Sequence, residues 1–242
     1  MTTPRQLALV LPRPSLYTTE DFLIGDANRD AWAWLQRTGD WPDHRLLVWG
    51  EHGCGKTHLL HVWARQAGAT ILRGGDLAGL PDPRDAAAIA VDDADQVRDE
   101  PALLHLLNAC RETGIPVLLT AGRPPSRWDV ALPDLASRLR AIVAVAIAQP
   151  DDAFLRALLL RLLVERGLPL SPSLPDWLLR RLPRSAAAIQ DAVARLDHAS
   201  LASHGPITRR LASAVLELGG EDDDISEDGV SETRNPLDSP CR

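Results

Sequence analysis

The stretch that decides the fold is GEHGCGKT at residues 50–57. It fits the pattern G-x-x-x-x-G-K-[ST], in which glycines let the backbone curl so that successive N–H groups point at phosphates. Lys56 is placed to reach the β- and γ-phosphates, and the Thr57 hydroxyl is placed to ligate Mg²⁺. Lys56 is also the only lysine in the chain. The stretch therefore predicts a nucleotide-binding protein that takes ADP or ATP together with Mg²⁺.

The segments on either side have the patterns that a phosphate-binding loop requires. The apolar run RLLVW at 45–49 predicts a buried strand that leads into the loop. The run HLLHVWA at 58–64 predicts a helix that follows it, whose positive N-terminal end favours a bound anion. A chance match to the motif on a surface turn would lack both neighbours.

An acidic partner for the loop is predicted at the end of a second strand. The run AAAIAVDD at 86–93 is apolar until it ends in two carboxylates. Asp92 is then placed near the metal, and Asp93 near the position of a hydrolytic water. The alternative is an ordinary strand followed by a helix cap. We favour the functional interpretation, because a phosphate-binding loop requires a neighbouring strand that ends in an acid.

Strands and helices alternate up to about residue 149, and only helices follow. Apolar runs at 70–73, 115–120 and 141–147 predict three more strands, the last continuously apolar, as is typical of a strand covered on both faces. The remaining predicted helices cover 102–111, 173–181, 185–203 and 208–218, with one more that begins at Asp151 or Asp152 and ends at Gly167. We therefore predict an α/β fold of the AAA+ type. It is a three-layer sandwich around a five-stranded parallel sheet, followed by a small all-helical lid domain.

Composition narrows the class of protein. The 242 residues carry a net charge of −7, and eight acids against two arginines after residue 218 account for −6 of it. The nearly neutral body lacks the basic footprint of a nucleic-acid-binding protein. Three dispersed cysteines fit neither a disulfide framework nor a zinc site. The chain has no run of about 18 apolar residues and no signal peptide, so we expect a cytoplasmic protein without a membrane span.

Four segments resemble the DnaA branch of the AAA+ ATPases. They are FLIGDANR at 22–29, GKTHLLH at 55–61, RPP at 123–125 and LASRL at 135–139. The resemblance covers roughly residues 20–218 and implies a set of ligand-binding residues. The implied nucleotide-binding residues are Phe22, Leu23, Ile24, Gly50, Gly53, Cys54, Gly55, Lys56, Thr57, His58 and Arg184, and the implied metal-binding residues are Thr57 and Asp92.

Within this branch the sequence is most similar to the Hda-type regulatory inactivators of DnaA. Replication initiators carry a C-terminal helix-turn-helix domain, whereas only an acidic stretch of about 24 residues follows the predicted lid. Initiators also insert helices between the second and third strands, whereas residues 74–85 leave room for one short helical turn. The resemblance implies DnaA as a partner and no sequence-specific DNA binding. The resemblance does not decide whether the chain forms a homodimer.

The amino terminus resembles a peptide that binds the DNA polymerase III β sliding clamp. In QLALVLP at 6–12, Gln6 suits a polar pocket, while Leu7, Leu9 and Leu11 supply apolar contacts along an extended segment. The alternative is an alternating edge strand of the domain itself. We favour clamp binding, because this peptide precedes a body that resembles the Hda type.

The resemblance implies functional roles for two arginines. Arg138 matches an arginine finger that reaches a neighbouring subunit's nucleotide, where it can accelerate phosphoryl transfer by about 10³–10⁵. The recipient would be ATP bound to DnaA, and the alternative role is a surface salt bridge to Asp134. Arg184 resembles the sensor II arginine, which contacts the protein's own nucleotide. Its alternative is a solvated arginine in an arginine-rich segment.

One position departs from the family. Gly122 stands where the family usually has an acid beside the attacking water, so we expect weak intrinsic ATPase activity.

Two other candidate sites are not favoured. His58 and His61 lie three residues apart on a helix, but a metal site there lacks carboxylate or cysteine partners. Cys54 lies at a helix N-terminus, where its pKa could be lowered, but we expect an inert position that the motif leaves variable.

These observations predict four segments and one leading function. The segments are an extended clamp-binding peptide (1–19), the nucleotide-binding domain (20–149), the lid (150–218) and a disordered acidic tail (219–242). The leading function is a regulator that binds the clamp and stimulates ATP hydrolysis by DnaA through Arg138, with Asp93 as the acid of its own site. An independent ATPase, such as a helicase loader, is the main alternative. A small-molecule P-loop kinase fits the lid and Arg138 less well.

Overall fold

The structure is a computed structural model that describes residues 22–168, 171, 173–203 and 207–218. The amino-terminal peptide with Gln6, Leu7, Leu9 and Leu11 lies outside the described residues, as does the acidic tail. No helix in the described part of the chain is long and apolar enough to cross a membrane.

A five-stranded parallel sheet forms the centre of the first domain, as predicted. Its strands are β1 (Arg45–Trp49), β2 (Ala69–Arg73), β3 (Ala88–Asp92), β4 (Val117–Ala121) and β5 (Val143–Ala146), in the order β2-β3-β4-β1-β5. Four helices accompany the sheet: α1 (Arg29–Leu35), α2 (Lys56–Ala67), α3 (Glu100–Thr113) and α4 (Pro133–Ala141). Because all strands are parallel, the loops after β1, β3 and β4 meet at one edge of the sheet.

Two apolar clusters cover the two faces of the sheet. Leu46 and Val48 of β1 pack into one cluster with α1 and α2, while Leu47 packs into the other with α3 and α4. This division follows from the two-residue period of a strand, which sends successive side chains to opposite faces. The predicted three-layer sandwich is confirmed.

The prediction that the strand at 141–147 is covered on both faces is wrong. Among the described strands, β5 lies at the edge of the sheet and pairs only with β1. Its residues alternate between half-buried and exposed, with Ala144 and Ala146 exposed. Alanine is small enough to occupy an exposed strand position at little cost, so a continuous apolar run did not require two covered faces.

The helical part forms a separate apolar cluster. It comprises α5 (Asp152–Glu165), α6 (Leu174–Arg181), α7 (Ala186–Ser203) and α8 (Arg209–Leu216). The predicted caps are found, because Asp151 accepts a hydrogen bond from Phe154 N at 2.7 Å and Gly167 follows α5 with a φ of +60°. The predicted helices agree with these bounds within three residues. Between β2 and β3 the only described helical element is one 3-10 turn, Gly74–Asp76.

Candidate nucleotide-binding site

The loop between β1 and α2 has the curled backbone that its glycines predict. Gly53 and Gly55 have φ angles of +80° and +105°, a region that side chains with a Cβ rarely adopt. Gly50 is required for a different reason, since a Cβ there would lie 2.5 Å from the Ile147 carbonyl oxygen. The loop therefore leads directly into the N-terminus of α2, where backbone N–H groups can face an anion.

Lys56 lies beneath this loop and is 8 % exposed. Its Nζ donates hydrogen bonds to the carbonyl oxygens of Gly50 at 2.8 Å and Glu51 at 2.9 Å. A buried ammonium needs such partners, because an unpaired charge in the interior is costly. A phosphate oxygen would offer the same ammonium a stronger, charge-assisted hydrogen bond.

Two threonines orient the carboxylate of Asp92. The Thr57 hydroxyl donates to Asp92 Oδ2 at 3.0 Å, and the Thr120 hydroxyl, at the end of β4, donates to Asp92 Oδ1 at 2.5 Å. The side chains of Thr57 and Asp92 are therefore together, as a Mg²⁺ site beside a triphosphate requires. The described residues contain no group of three or more His, Cys, Asp or Glu that could hold a metal ion, His58 and His61 included. A cation here would depend on phosphate oxygens for most of its ligands, as Mg²⁺ commonly does.

Asp93 follows directly in a left-handed conformation, with a φ of +53°. Its backbone N–H donates to Thr120 Oγ1 at 3.0 Å, which fixes the turn. Partial desolvation, and then the charges of Asp92 and Asp95, raise the pKa of the Asp93 carboxyl above its ordinary value. A raised pKa brings a carboxylate closer to the range in which it accepts a proton from water.

Asp95 occupies the space beside Gly122. The Gly122 N–H donates to Asp95 Oδ2 at 3.0 Å, and a Cβ on Gly122 would lie 3.2 Å from the same oxygen. At the position where the family usually has an acid, this chain therefore has a glycine without a side chain. The backbone N–H of this glycine binds Asp95, which lies in the turn after β3. Sequence reasoning missed Thr120 and Asp95. The available signal was that Thr120 is the polar residue after the apolar run of β4, and that Asp95 lies three residues after the end of β3.

A buried asparagine that sequence reasoning also missed holds the segment that the sequence predicts on the adenine side of the cleft. Asn28 is 4 % exposed, accepts from Gly25 N at 2.9 Å and donates to Leu23 O at 2.9 Å. The Phe22 ring contacts the His58 ring edge-on at a centroid distance of 5.3 Å. Of the predicted adenine-side residues, Phe22 and Leu23 line the cleft, whereas Ile24 is 47 % exposed and does not.

The lid closes the cleft, whose volume is about 260 Å³. Ser185 caps α7 by accepting from Ala188 N at 3.1 Å, and a Cβ on Gly53 would lie 2.9 Å from Ser185 Cβ. The first turn of α7 is therefore in contact with the phosphate-binding loop. The residues that line the cleft are Phe22, Leu23, Asn28, His52, Gly53, Cys54, Gly55, Lys56, Thr57, His58, Asp93, Phe154, Leu158, Ala186, Ala187 and Gln190.

Arg184 does not line this cleft. Its side chain is 77 % exposed, forms an ion pair with Asp152 at 3.2 Å and lines a neighbouring groove on the lid with Arg180. The residues of α7 that face the cleft come after its cap, and at that place the sequence has Ala186 and Ala187. Among the described lid residues, no arginine lines the cleft.

Arg138 lies on α4, which is anchored to the sheet by buried Leu135 and Leu139. Its side chain is half-buried and does not line the cleft. It forms no ion pair with Asp134, the alternative role, nor a hydrogen bond with any other residue that the structure describes. Within the described residues, its guanidinium is therefore without an ion pair or a hydrogen bond.

The thiol of Cys54 has the opposite character to a reactive helix-terminal cysteine. It is 7 % exposed and lies 4.0 Å from Lys56 Nζ. Burial raises the pKa of this thiol, and the positive charge of Lys56 offsets the effect only in part. The thiol form is favoured, which agrees with an inert position.

Two family comparisons cover separate parts of the chain. Residues 14–71 match the bacterial DnaA ATPase domain, and residues 151–216 match the Hda lid domain. The first match contains the phosphate-binding loop, and the second contains helices α5 to α8.

Solved structures share the fold. Domain III of the replication initiation protein DnaA from Thermotoga maritima aligns with a TM-score of 0.72 at 17% identity, over 83% of this chain and 95% of that chain. AMPPCP-bound DnaA from Aquifex aeolicus aligns with a TM-score of 0.63 at 20% identity, over 75% of this chain and 65% of that chain. The RuvB Holliday junction branch migration motor from Thermotoga maritima aligns with a TM-score of 0.59 at 17% identity, over 80% of this chain and 69% of that chain. The DnaA relative binds its adenine nucleotide analogue on the same fold.

Proposed function

This chain belongs to the DnaA-related AAA+ proteins and carries a lid of the Hda type, and on that premise we propose that it regulates the start of replication. In this proposal the chain binds adenine nucleotide and stimulates ATP hydrolysis by DnaA. The initiator is thereby converted to its ADP form and inactivated.

One observation carries the proposal: Arg138 has no partner among the described residues and lies outside its own cleft. Because this cation does not line its own cleft, we infer that it acts on the nucleotide of a neighbour. An arginine finger stabilises charge on the transferring phosphoryl group and contributes about 10³–10⁵ in rate. The recipient that fits a DnaA-related partner is ATP held by DnaA.

The chain's own cleft supports holding nucleotide more than turning it over. In this proposal Lys56, Thr57 and Asp92 would supply the phosphate and Mg²⁺ contacts, and Asp93 would orient a water. The chain lacks an acid at Gly122, and none of the described lid arginines lines the cleft. The acid would act on the attacking water and the arginine would stabilise the charge of the transition state, so hydrolysis here should be slow while ADP or ATP remains bound.

The amino-terminal peptide completes the proposal. Gln6, Leu7, Leu9 and Leu11 would bind the DNA polymerase III β sliding clamp in extended form, with main-chain and side-chain contacts. Binding a clamp on DNA would raise the concentration of Arg138 near DnaA on the same DNA.

An independent ATPase, such as a helicase loader, is the second candidate. The observation in its favour is the intact arrangement of Thr57, Asp92 and Asp93 around the loop. Phosphate release by the purified chain alone, increased by single-stranded DNA, would favour this candidate over the regulator.

The test measures phosphate release from ATP-loaded DnaA, with the purified chain, ADP and a DNA-loaded clamp. Wild type is compared with Arg138→Ala, with Arg140→Ala as the matched control on the same helix, and with a truncation that lacks residues 1–12. We expect wild type and Arg140→Ala to stimulate release, and the other two variants to leave it near background. Equal release with and without wild-type protein would overturn the proposal.

A further inference from the structure

The helix that carries Arg138 begins without a cap of its own. Leu132, at the cap position of α4, has no polar side chain, and Pro133 opens the helix. The two residues that precede the helix are held from another helix instead. The Glu100 carboxylate accepts from Ala131 N at 2.9 Å through Oε1 and from Leu132 N at 2.7 Å through Oε2.

Glu100 is itself firmly held, because it lies in the first turn of α3. The preceding residue, Asp99, caps α3 by accepting from Ala102 N at 3.0 Å, and its other oxygen accepts from Gly79 N at 3.0 Å. A carboxylate that receives two N–H groups fixes distance and direction together. Its negative charge also lies at the positive end of the α4 dipole.

The same segment holds the other end of the loop that leads to α4. Residues 122–132 connect β4 to α4, and Gly122 N donates to Asp95. Asp95 and Glu100 both follow Asp92 and Asp93 of the nucleotide site in the chain. The loop that determines where α4 begins is therefore attached at both ends to the segment that lines the phosphate edge of the sheet.

We infer that Glu100 is the positioning residue for Arg138: by holding the start of α4, it fixes the direction from which the guanidinium reaches a partner's phosphates. This inference rests on the proposed role of Arg138 in DnaA's ATP hydrolysis. A displacement of about 1 Å in a transition-state contact can cost about 10²-fold in rate. Removing the carboxylate should thus lower the rate of the chemical step rather than the affinity for the partner.

The experiment titrates wild type and variants against ATP-loaded DnaA with the clamp present. It records the maximal rate of phosphate release and the concentration that gives half of it. We expect Glu100→Ala to lower the maximal rate about 10- to 100-fold with little change in half-saturation, and Glu100→Gln to have an intermediate effect. Glu112→Ala, an exposed acid near the other end of α3, is the matched control and should resemble wild type.

A second readout does not depend on DnaA. Hydrogen exchange of the Ala131 and Leu132 amides, measured by NMR, should accelerate in Glu100→Ala, while binding of ADP stays as in wild type. Faster amide exchange in Glu100→Ala with an unchanged maximal rate would overturn the inference. Unchanged amide exchange would overturn it as well. Neither result would contradict the proposed function. If Arg138→Ala stimulates DnaA as well as wild type does, the proposed function falls and the inference with it.

Discussion

Gly74 is the position where one added methyl group should disturb both stability and the nucleotide site. It is buried in the 3-10 turn after β2, and a Cβ there would lie 2.2 Å from the Asp93 carbonyl oxygen and 3.1 Å from Ala94 Cα. Both neighbours are backbone atoms, so the turn that presents Asp93 must move by about 1 Å to reach ordinary contact distances. Overpacking of this kind costs about 1–3 kcal/mol. For a chain of this size that lowers the midpoint of thermal unfolding by about 3–10 °C.

The matched control is the next residue. Gly75 is exposed, and a Cβ there would meet nothing within 4 Å. Circular dichroism melts of Gly74→Ala and Gly75→Ala, with and without ADP, separate the effect of close packing from a general cost of replacing glycine. Gly75→Ala should melt like wild type. Equal midpoints for the two variants would refute the reasoning, because the close contact between a Cβ at position 74 and the Asp93 backbone would then not lower the stability.

Three further predictions follow from burial and charge. Because the pKa of Asp93 is raised in the folded chain, its contribution to stability is present below the ordinary value of 3.8 and is lost as pH rises through the folded pKa. Asp93→Asn should therefore be slightly more stable than wild type at neutral pH, and a melt at acidic pH should remove the difference. Asp43→Asn should destabilise by about 1–3 kcal/mol in urea titrations, because Arg45 is 2 % exposed and Asp43 is its ion-pair partner at 2.5 Å. The exposed Asp82→Asn should leave the urea midpoint unchanged. Burial also keeps the Cys54 thiol protonated, so mass spectrometry should find it unalkylated at neutral pH until urea unfolds the chain.

The sheet could be predicted from sequence because each strand is a short apolar run beside a turn signal. The runs at 45–49 and 86–93 correspond to β1 and β3 within two residues. The position of β5 at the sheet edge could not be predicted, since alanine and valine satisfy both an edge and a centre. Which strands neighbour each other is decided by long-range packing, which a run of letters does not record.

The candidate site was predictable where one local motif contains its residues. Lys56 and Thr57 lie in the loop, and Asp92 is the acid that such a loop requires. Thr120 and Asn28 were missed because their roles depend on partners fixed by the fold, for Thr120 a carboxylate 28 residues away.

The placement of the lid residues depends on helical phase. A shift of three residues separates Arg184, in an exposed ion pair, from Ala187 at the cleft. The sequence shows a helix from about residue 185, but only the cap at Ser185 determines which residues face the phosphate-binding loop.

The central claim is that hydrolysis takes place in the partner and not in this chain. Single-turnover hydrolysis by ATP-loaded DnaA, with the clamp and ADP present, tests it with two variants measured in parallel. Arg138→Ala should lose the stimulation, while Asp93→Asn, which changes only the chain's own site, should keep it. Loss of stimulation in Asp93→Asn together with full stimulation by Arg138→Ala would contradict the account and place the reaction in this chain's own cleft.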